Sequence, residues 1–196
     1  MFRGSGHHCI TVDLDPQFKP DIISDIKSLS MDDLSYEMPF DVVWASPPCE
    51  TFSVASIGTH WGGGKRAYQP KTERAKVGME NVTSALEIID QIKPKRWFME
   101  NPRGVLRKLP FMQGISKQTI TYCQYGDTRM KPTDIFGTIE GIWFREMCKN
   151  GDPCHERAPR GAKTGTQGLK NRIERGKIPP NFCYELMIQL ETILER

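Results

Sequence analysis

Asp41-Val-Val-Trp-Ala-Ser-Pro-Pro-Cys-Glu-Thr-Phe-Ser53 is the stretch that decides how the chain is read. The apolar, β-branched run Val42, Val43, Trp44, Ala45 predicts a buried strand. Ser46-Pro47-Pro48 stops it, because proline fixes φ and has no N–H to give to a ladder. Cys49 follows directly. A thiol at the carboxyl end of a buried strand sits where open α/β sheets gather their chemistry. Free cysteine is commonly a small buried hydrophobe. The polar neighbours Glu50, Thr51 and Ser53 argue against a packed interior, so Cys49 is read as a functional thiol.

Working outward, Arg96-Trp-Phe-Met-Glu100-Asn-Pro102 is a second apolar strand that ends in acid and proline. A carboxylate at the end of a neighbouring strand can face the same pocket as Cys49. Between the two, residues 76–92 have helical spacing through Val77, Val82, Ala85, Leu86, Ile88 and Ile89. On the N-terminal side, Cys9-Ile-Thr-Val-Asp13-Leu-Asp15 reads as a strand ending in acid, stopped by Pro16. A carboxylate there can accept hydrogen bonds from the ribose hydroxyls of a nucleoside cofactor, or can simply cap a turn. Residues 27–40 predict a short helix and a loop.

Residues 54–70 read as a long mobile loop, with Gly62, Gly63 and Gly64 beside Lys65 and Arg66, suited to phosphate. Without a Gly-Lys-Ser/Thr opening a helix, it is not a nucleotide-phosphate cradle. His60 reads as a surface histidine. Residues 118–126 alternate as a strand does, then Asp127-Thr-Arg129-Met-Lys131-Pro-Thr133 leads into a strand over 134–139. Residues 179–194 predict an amphipathic helix starting after proline. Cys148-x5-Cys154-His155 supplies three possible zinc ligands, but the spacing is not CxxC. That stretch is expected to be a loop rather than a filled metal site, and no metal is predicted; zinc with a fourth ligand from elsewhere is the minor alternative.

The chain of 196 residues suits one domain with a real core. No apolar run approaches the roughly 20 residues of a membrane span. Six mostly dispersed cysteines suit a reduced cytoplasm better than a disulfide framework. The net charge of +3 conceals an asymmetry. Residues 1–50 carry three Lys/Arg against nine Asp/Glu, whereas the remainder carries 24 against 15. Only the second part could grip a phosphate backbone.

The Pro-Pro-Cys49 stretch resembles the Pro-Cys motif of the DNA (cytosine-5)-methyltransferases, in which that cysteine is the nucleophile. Methyltransferases acting on exocyclic amino groups resemble it too, but follow their prolines with Tyr, Phe or Trp. Glu100-Asn-Pro102 is similar to the family's Glu-Asn-Val. The resemblance covers nearly the whole chain and implies an α/β fold, a mostly parallel, Rossmann-like sheet dependent on S-adenosylmethionine. It implies Cys49 and Glu100 as catalytic residues. It implies Asp13, Leu14, Asp25, Ile26 and Pro47 at the cofactor, with Asp13 on the ribose and Asp25 on the adenine amino group. The eighth motif departs, with Lys131 and Thr133 where two arginines stand, leaving Lys131 and Arg129 to meet the target base.

By the same resemblance, residues 54–70 close over double-stranded DNA bearing a flipped cytosine, and residues 141–177 form a minimal recognition segment. A monomer in a bacterial cytoplasm is expected, in a restriction-modification or phage setting. The first motif is the departure that matters. Phe2-Arg-Gly4-Ser-Gly6 matches its letters, yet leaves no room for a helix before Asp13, so residues 2–8 are read as the end of that helix. The expectation is an N-terminally incomplete domain that binds S-adenosylmethionine weakly. The strands at Val12 and Val42 would then pair directly or receive a foreign segment. The alternatives are a catalytically impaired or DNA-binding remnant and, disfavoured by Cys49, an amino-methyltransferase.

Overall fold

The computed structural model describes residues 2–64, 68–157, 169 and 171–195. In chain order the regular elements are β1 (Val12–Asp13), β2 (Ile22–Ile23), α1 (Met31–Leu34), β3 (Val42–Ala45), α2 (Ile57–His60), β4 (Trp61–Gly62) and β5 (Gln69–Pro70). There follow α3 (Glu73–Ile92), β6 (Arg96–Pro102), β7 (Lys117–Thr121), β8 (Pro132–Gly137), α4 (Arg172–Gly176) and α5 (Pro180–Leu194).

The central sheet has the order β3-β6-β8-β7. Its strands bury both faces by the two-residue alternation of side chains. From β6, Met99 and Trp97 enter a cluster with Phe52, Val82 and Leu106, while Phe98 enters another with Ile120, Ile135 and Phe182. The helix α3 covers the first face and α5 the second, giving three layers. Thr72 caps α3 by accepting from Ala75 N, and Lys93 ends it in the left-handed region at φ 51°. Pro180 opens α5 from the first turn, where its missing N–H costs nothing.

The α/β class holds, and the balance of strand directions differs from the mostly parallel expectation. The β3–β6 pair is parallel, but β6–β8 and β7–β8 are antiparallel. The second parallel pair, β1–β2, is a separate two-stranded ribbon. Among the described residues β1 and β3 do not pair with each other, so the direct pairing considered above is not what forms. The strand expected over residues 9–15 contracts to Val12–Asp13. Its residues lack a second ladder partner, and Asp13 and Asp15 turn to local work instead: Asp13 Oδ1 accepts from Asp15 N at 2.8 Å, and Asp15 caps the turn at Pro16.

Two further expectations change. Residues 54–70 are not one loop: Trp61 is 3% exposed, donates from Nε1 to Thr51 O at 2.6 Å and stacks near Phe52, fixing the β4–β5 hairpin. His60 is half-buried and bound to Thr72 Oγ1 at 2.7 Å. The cations Lys65 and Arg66 lie outside the described residues. The strand expected over 118–126 ends at Thr121, and Tyr122–Tyr125 form a 3-10 turn. No helix among the described residues is long and apolar enough to cross a membrane.

Candidate active site

The register of β3 on β6, with Ala45 opposite Met99, brings both strands to an end on the same side of the sheet. The Pro47-Pro48-Cys49 turn leaves β3, and Glu100 stands two residues before the end of β6. Asn101 ties them, donating from Nδ2 to Pro47 O at 3.3 Å. Beyond Cys49 the chain is clamped again: Val105 N donates to Phe52 O at 2.8 Å, and Ser53 bridges Gly104. A Cβ at Gly104 would stand 2.0 Å from Phe52 O, so only glycine allows this approach.

Three ionisable groups then sense one another. Burial pushes the Cys49 thiol up, the Glu100 carboxylate pushes it further, and the Lys131 ammonium opposes both. Glu100 is 6% exposed. Burial raises its pKa as well, held back by Lys131 and by the Tyr122 hydroxyl, which donates to Oε1 at 2.9 Å. Burial lowers Lys131 against the pull of Glu100 and Cys49. Its Nζ stands 4.4 Å from the Tyr122 ring centre and donates to Arg175 O at 2.9 Å. Lys131 sits at φ 30°, an uncommon backbone state for a non-glycine residue. A buried carboxyl raised toward its protonated form, beside a thiol and a cation, is suited to donating a proton while the thiol attacks.

Arg129, expected to meet the target base, is placed otherwise. It is 6% exposed and paired with Asp127, and its Nη1 donates to Glu174 O at 3.0 Å and Arg175 O at 3.3 Å. With Lys131 on the same Arg175 carbonyl, it fastens the C-terminal end of α4 to the site wall.

On the other side of β3 lies a groove of about 470 Å³. Asp13, Leu14, Asp25, Ile26 and Pro47 all line it, so the five residues expected at a cofactor share one cavity. Its floor is the apolar run Val42–Ala45 together with Ala85, Ile88 and Ile89 of α3.

The sequence profile described as C-5 cytosine-specific DNA methylase matches residues 14–113, just over half of the chain. The chain belongs to that family. The matched span holds Leu14, Asp25, Ile26, Pro47, Cys49 and Glu100, with Asp13 just ahead of it and Arg129 and Lys131 beyond. The chain is also 29% identical to a probable DNA (cytosine-5)-methyltransferase of Frog virus 3 (isolate Goorha), across 93% of this chain and 89% of that protein. Among solved structures, the Entamoeba histolytica methyltransferase EhMeth superposes with a TM-score of 0.46 at 15% identity. That superposition covers 71% of this chain and 48% of EhMeth, so the chain spans about half the length of that structure.

Sequence reasoning within this DNA methylase family missed two residues of the site. Tyr122 falls within the strand expected over 118–126, and its hydrogen bond to Glu100 spans 22 residues. Asn101 was noted as part of the Glu-Asn pair, but not as the link to Pro47. The Cys148, Cys154 and His155 loop also differs from expectation, because Cys123 joins it as a fourth potential ligand.

Proposed function

We propose that the protein methylates carbon 5 of cytosine in DNA through a covalent adduct on Cys49. The observation that carries this reading is Cys49 and Glu100 at the ends of adjacent parallel strands, with Lys131 electrostatically coupled to both. Carbon 5 of cytosine is too weak a nucleophile to take a methyl group unaided. Attack of the Cys49 thiolate forms a sulfur–carbon 6 bond and pushes electrons toward ring nitrogen 3. Glu100, biased by burial toward its protonated form, gives nitrogen 3 a proton, leaving a neutral enamine nucleophilic at carbon 5. Lys131 favours the thiolate before attack. After methylation the carbon 5 proton passes to a solvent base, the sulfur–carbon 6 bond breaks with the pair returning to the Cys49 thiolate, and Glu100 takes back the nitrogen 3 proton.

The methyl donor that fits is S-adenosylmethionine, which supplies an electrophilic methyl group when bound. Asp13 and Asp25 offer acceptors for ribose and adenine donors, and Leu14, Ile26 and Pro47 offer apolar surface in the same groove. The target base must leave the stack to reach a thiol half-buried at a strand end. Basic side chains beyond residue 50 hold the duplex backbone. The protein acts as a monomer in this reading.

A second reading, a DNA-binding relative without turnover, draws on the groove in which β1 and β3 lie unpaired with each other. One experiment separates them: incubation with S-adenosylmethionine and duplex DNA carrying 5-fluorocytosine. The fluorine cannot be lost from carbon 5, so turnover traps the protein on DNA. A denaturation-resistant adduct is expected for the native chain and none for Cys49→Ser. An active serine variant ends the covalent mechanism, and a native chain that never forms adduct favours the second reading.

A further inference from the structure

Cys123, Cys148, Cys154 and His155 lie outside the active site and take no part in the mechanism above. Each offers one ligand atom, and the four atoms all lie within 4.8 Å of one another. The Cys123 and Cys148 sulfurs are 3.1 Å apart, and those of Cys123 and Cys154 are 3.6 Å apart. His155 Nδ1 stands 3.7 Å from Cys148 Sγ and 3.5 Å from Cys154 Sγ. A tetrahedral zinc ion with bonds of about 2.3 Å to sulfur and about 2.0 Å to nitrogen holds its ligand atoms roughly 3.5–3.8 Å apart. These separations need only small adjustments to reach that geometry. A disulfide needs its sulfurs at about 2.05 Å, which the Cys123–Cys148 separation does not meet.

The ligand chemistry narrows the choice. Three thiols and an imidazole are soft and borderline donors, unsuited to calcium or magnesium, which take oxygen. Iron–sulfur clusters are held in most cases by four cysteines. Four protein ligands leave no open position, which marks a structural site rather than a catalytic one. Supporting hydrogen bonds are in place: Cys148 N donates to Thr121 Oγ1 at 3.1 Å, and Gln124 Nε2 approaches Cys154 Sγ at 3.5 Å.

The position gives the cluster a purpose. Cys123 follows Tyr122, whose hydroxyl holds Glu100, and the other three ligands come from the segment after β8. That segment is also fixed where Glu156 N donates to Thr128 O at 2.8 Å. We propose that Cys123, Cys148, Cys154 and His155 bind one zinc ion that staples this segment to the wall behind Glu100. The ion closes the loop carrying Arg129 and Lys131 and holds the near end of residues 141–177 against the sheet.

The test is elemental analysis of the full chain purified under reducing conditions, followed by cobalt substitution. About one zinc per chain is expected. Cobalt should give the visible bands of a tetrahedral thiolate site. His155→Ala should lose the metal, and His155→Cys should keep it by restoring a fourth ligand. Cys183→Ser, outside the cluster, should keep it too. Chelation should lower the melting midpoint of the native chain and leave His155→Ala unmoved. A folded native chain that holds no zinc, even when refolded with it, overturns the proposal. So does a Cys123–Cys148 disulfide that persists in reductant, or full metal retention by His155→Ala.

Discussion

The two sides of β3 differ in kind. Toward β6 every neighbour is engaged: the strands are paired in register, Asn101 holds Pro47, and Tyr122 holds Glu100. Toward β1 lies a groove lined by strand residues, with no ladder across it among the described residues. On the β6 side the polar groups are desolvated, and burial raises the Glu100 carboxyl. The groove carries its acids at its rim, where Asp13 is exposed and Asp25 half-buried. In the proposed function, chemistry falls to the first side of β3 and cofactor recognition to the second, so each should be open to perturbation without the other.

The largest expected effect is on the first side. Glu100→Gln keeps the size of the side chain but cannot give nitrogen 3 a proton, and should lower the methylation rate about 10²–10⁴-fold. It also removes the negative charge that raises Cys49, which increases the thiolate fraction. That gain is about tenfold for each pKa unit recovered, so loss of the proton donor wins. Single-turnover methylation of duplex DNA measures the balance. A rate within a few-fold of native would show that Glu100 is only a structural carboxylate.

A smaller effect is expected in the groove. Asp13→Asn and Asp25→Asn keep the Oδ1 acceptors that serve Asp15 N and Lys27 N, so the local turns should survive. What changes is the charge offered to a bound nucleoside. A hydrogen bond to a charged group contributes about 1.5–3 kcal/mol, so each variant should weaken S-adenosylmethionine binding roughly tenfold or more. Ligand-detected NMR can follow this even if native binding is weak. The alkylation rate of Cys49 should stay native in both variants. Unchanged affinity would remove these acids from the cofactor site.

The same contrast explains what could be read from sequence. The strands β3 and β6 and the helices α3 and α5 were legible because local patterning specifies them: apolar runs stopped by proline, a 3.6-residue period, a proline start. The placement of Cys49 and Glu100 close to strand ends was legible because each follows such a run. What local pattern does not carry is pairing over distance. The antiparallel placement of β8 on β6, the reach of Tyr122 to Glu100 and the meeting of Cys123 with Cys148 depend on how strands stack. Arg129 misled for the same reason. The eighth-motif resemblance offers it as a possible substitute at the target base, whereas Asp127 and the carbonyls of α4 engage its donors. The Trp61 hairpin looked mobile because its glycines were visible and its buried hydrogen bond to Thr51 O was not.

The smallest expected effect tests how tightly the catalytic wall is coupled. The Cys49 thiol lies above its ordinary range because of burial first and Glu100 second, and Lys131 pulls it back. Alkylation by iodoacetamide requires the thiolate, so its rate at Cys49, followed by peptide mass spectrometry, should rise with pH through and beyond the usual thiol range. Removing the cation in Lys131→Met should shift that rise to higher pH, because the thiolate loses its nearest favourable charge. Glu100→Gln should shift it to lower pH, because the thiolate loses a repulsive one. Lys131 is itself lowered by burial, so its charge fades as the pH climbs and the native curve should be broader than that of Lys131→Met. Shifts in opposite directions for the two variants are the signature of three groups sharing one site. If both variants titrate like the native chain, the three are neighbours in space without electrostatic coupling, and Lys131 has no part in activating Cys49.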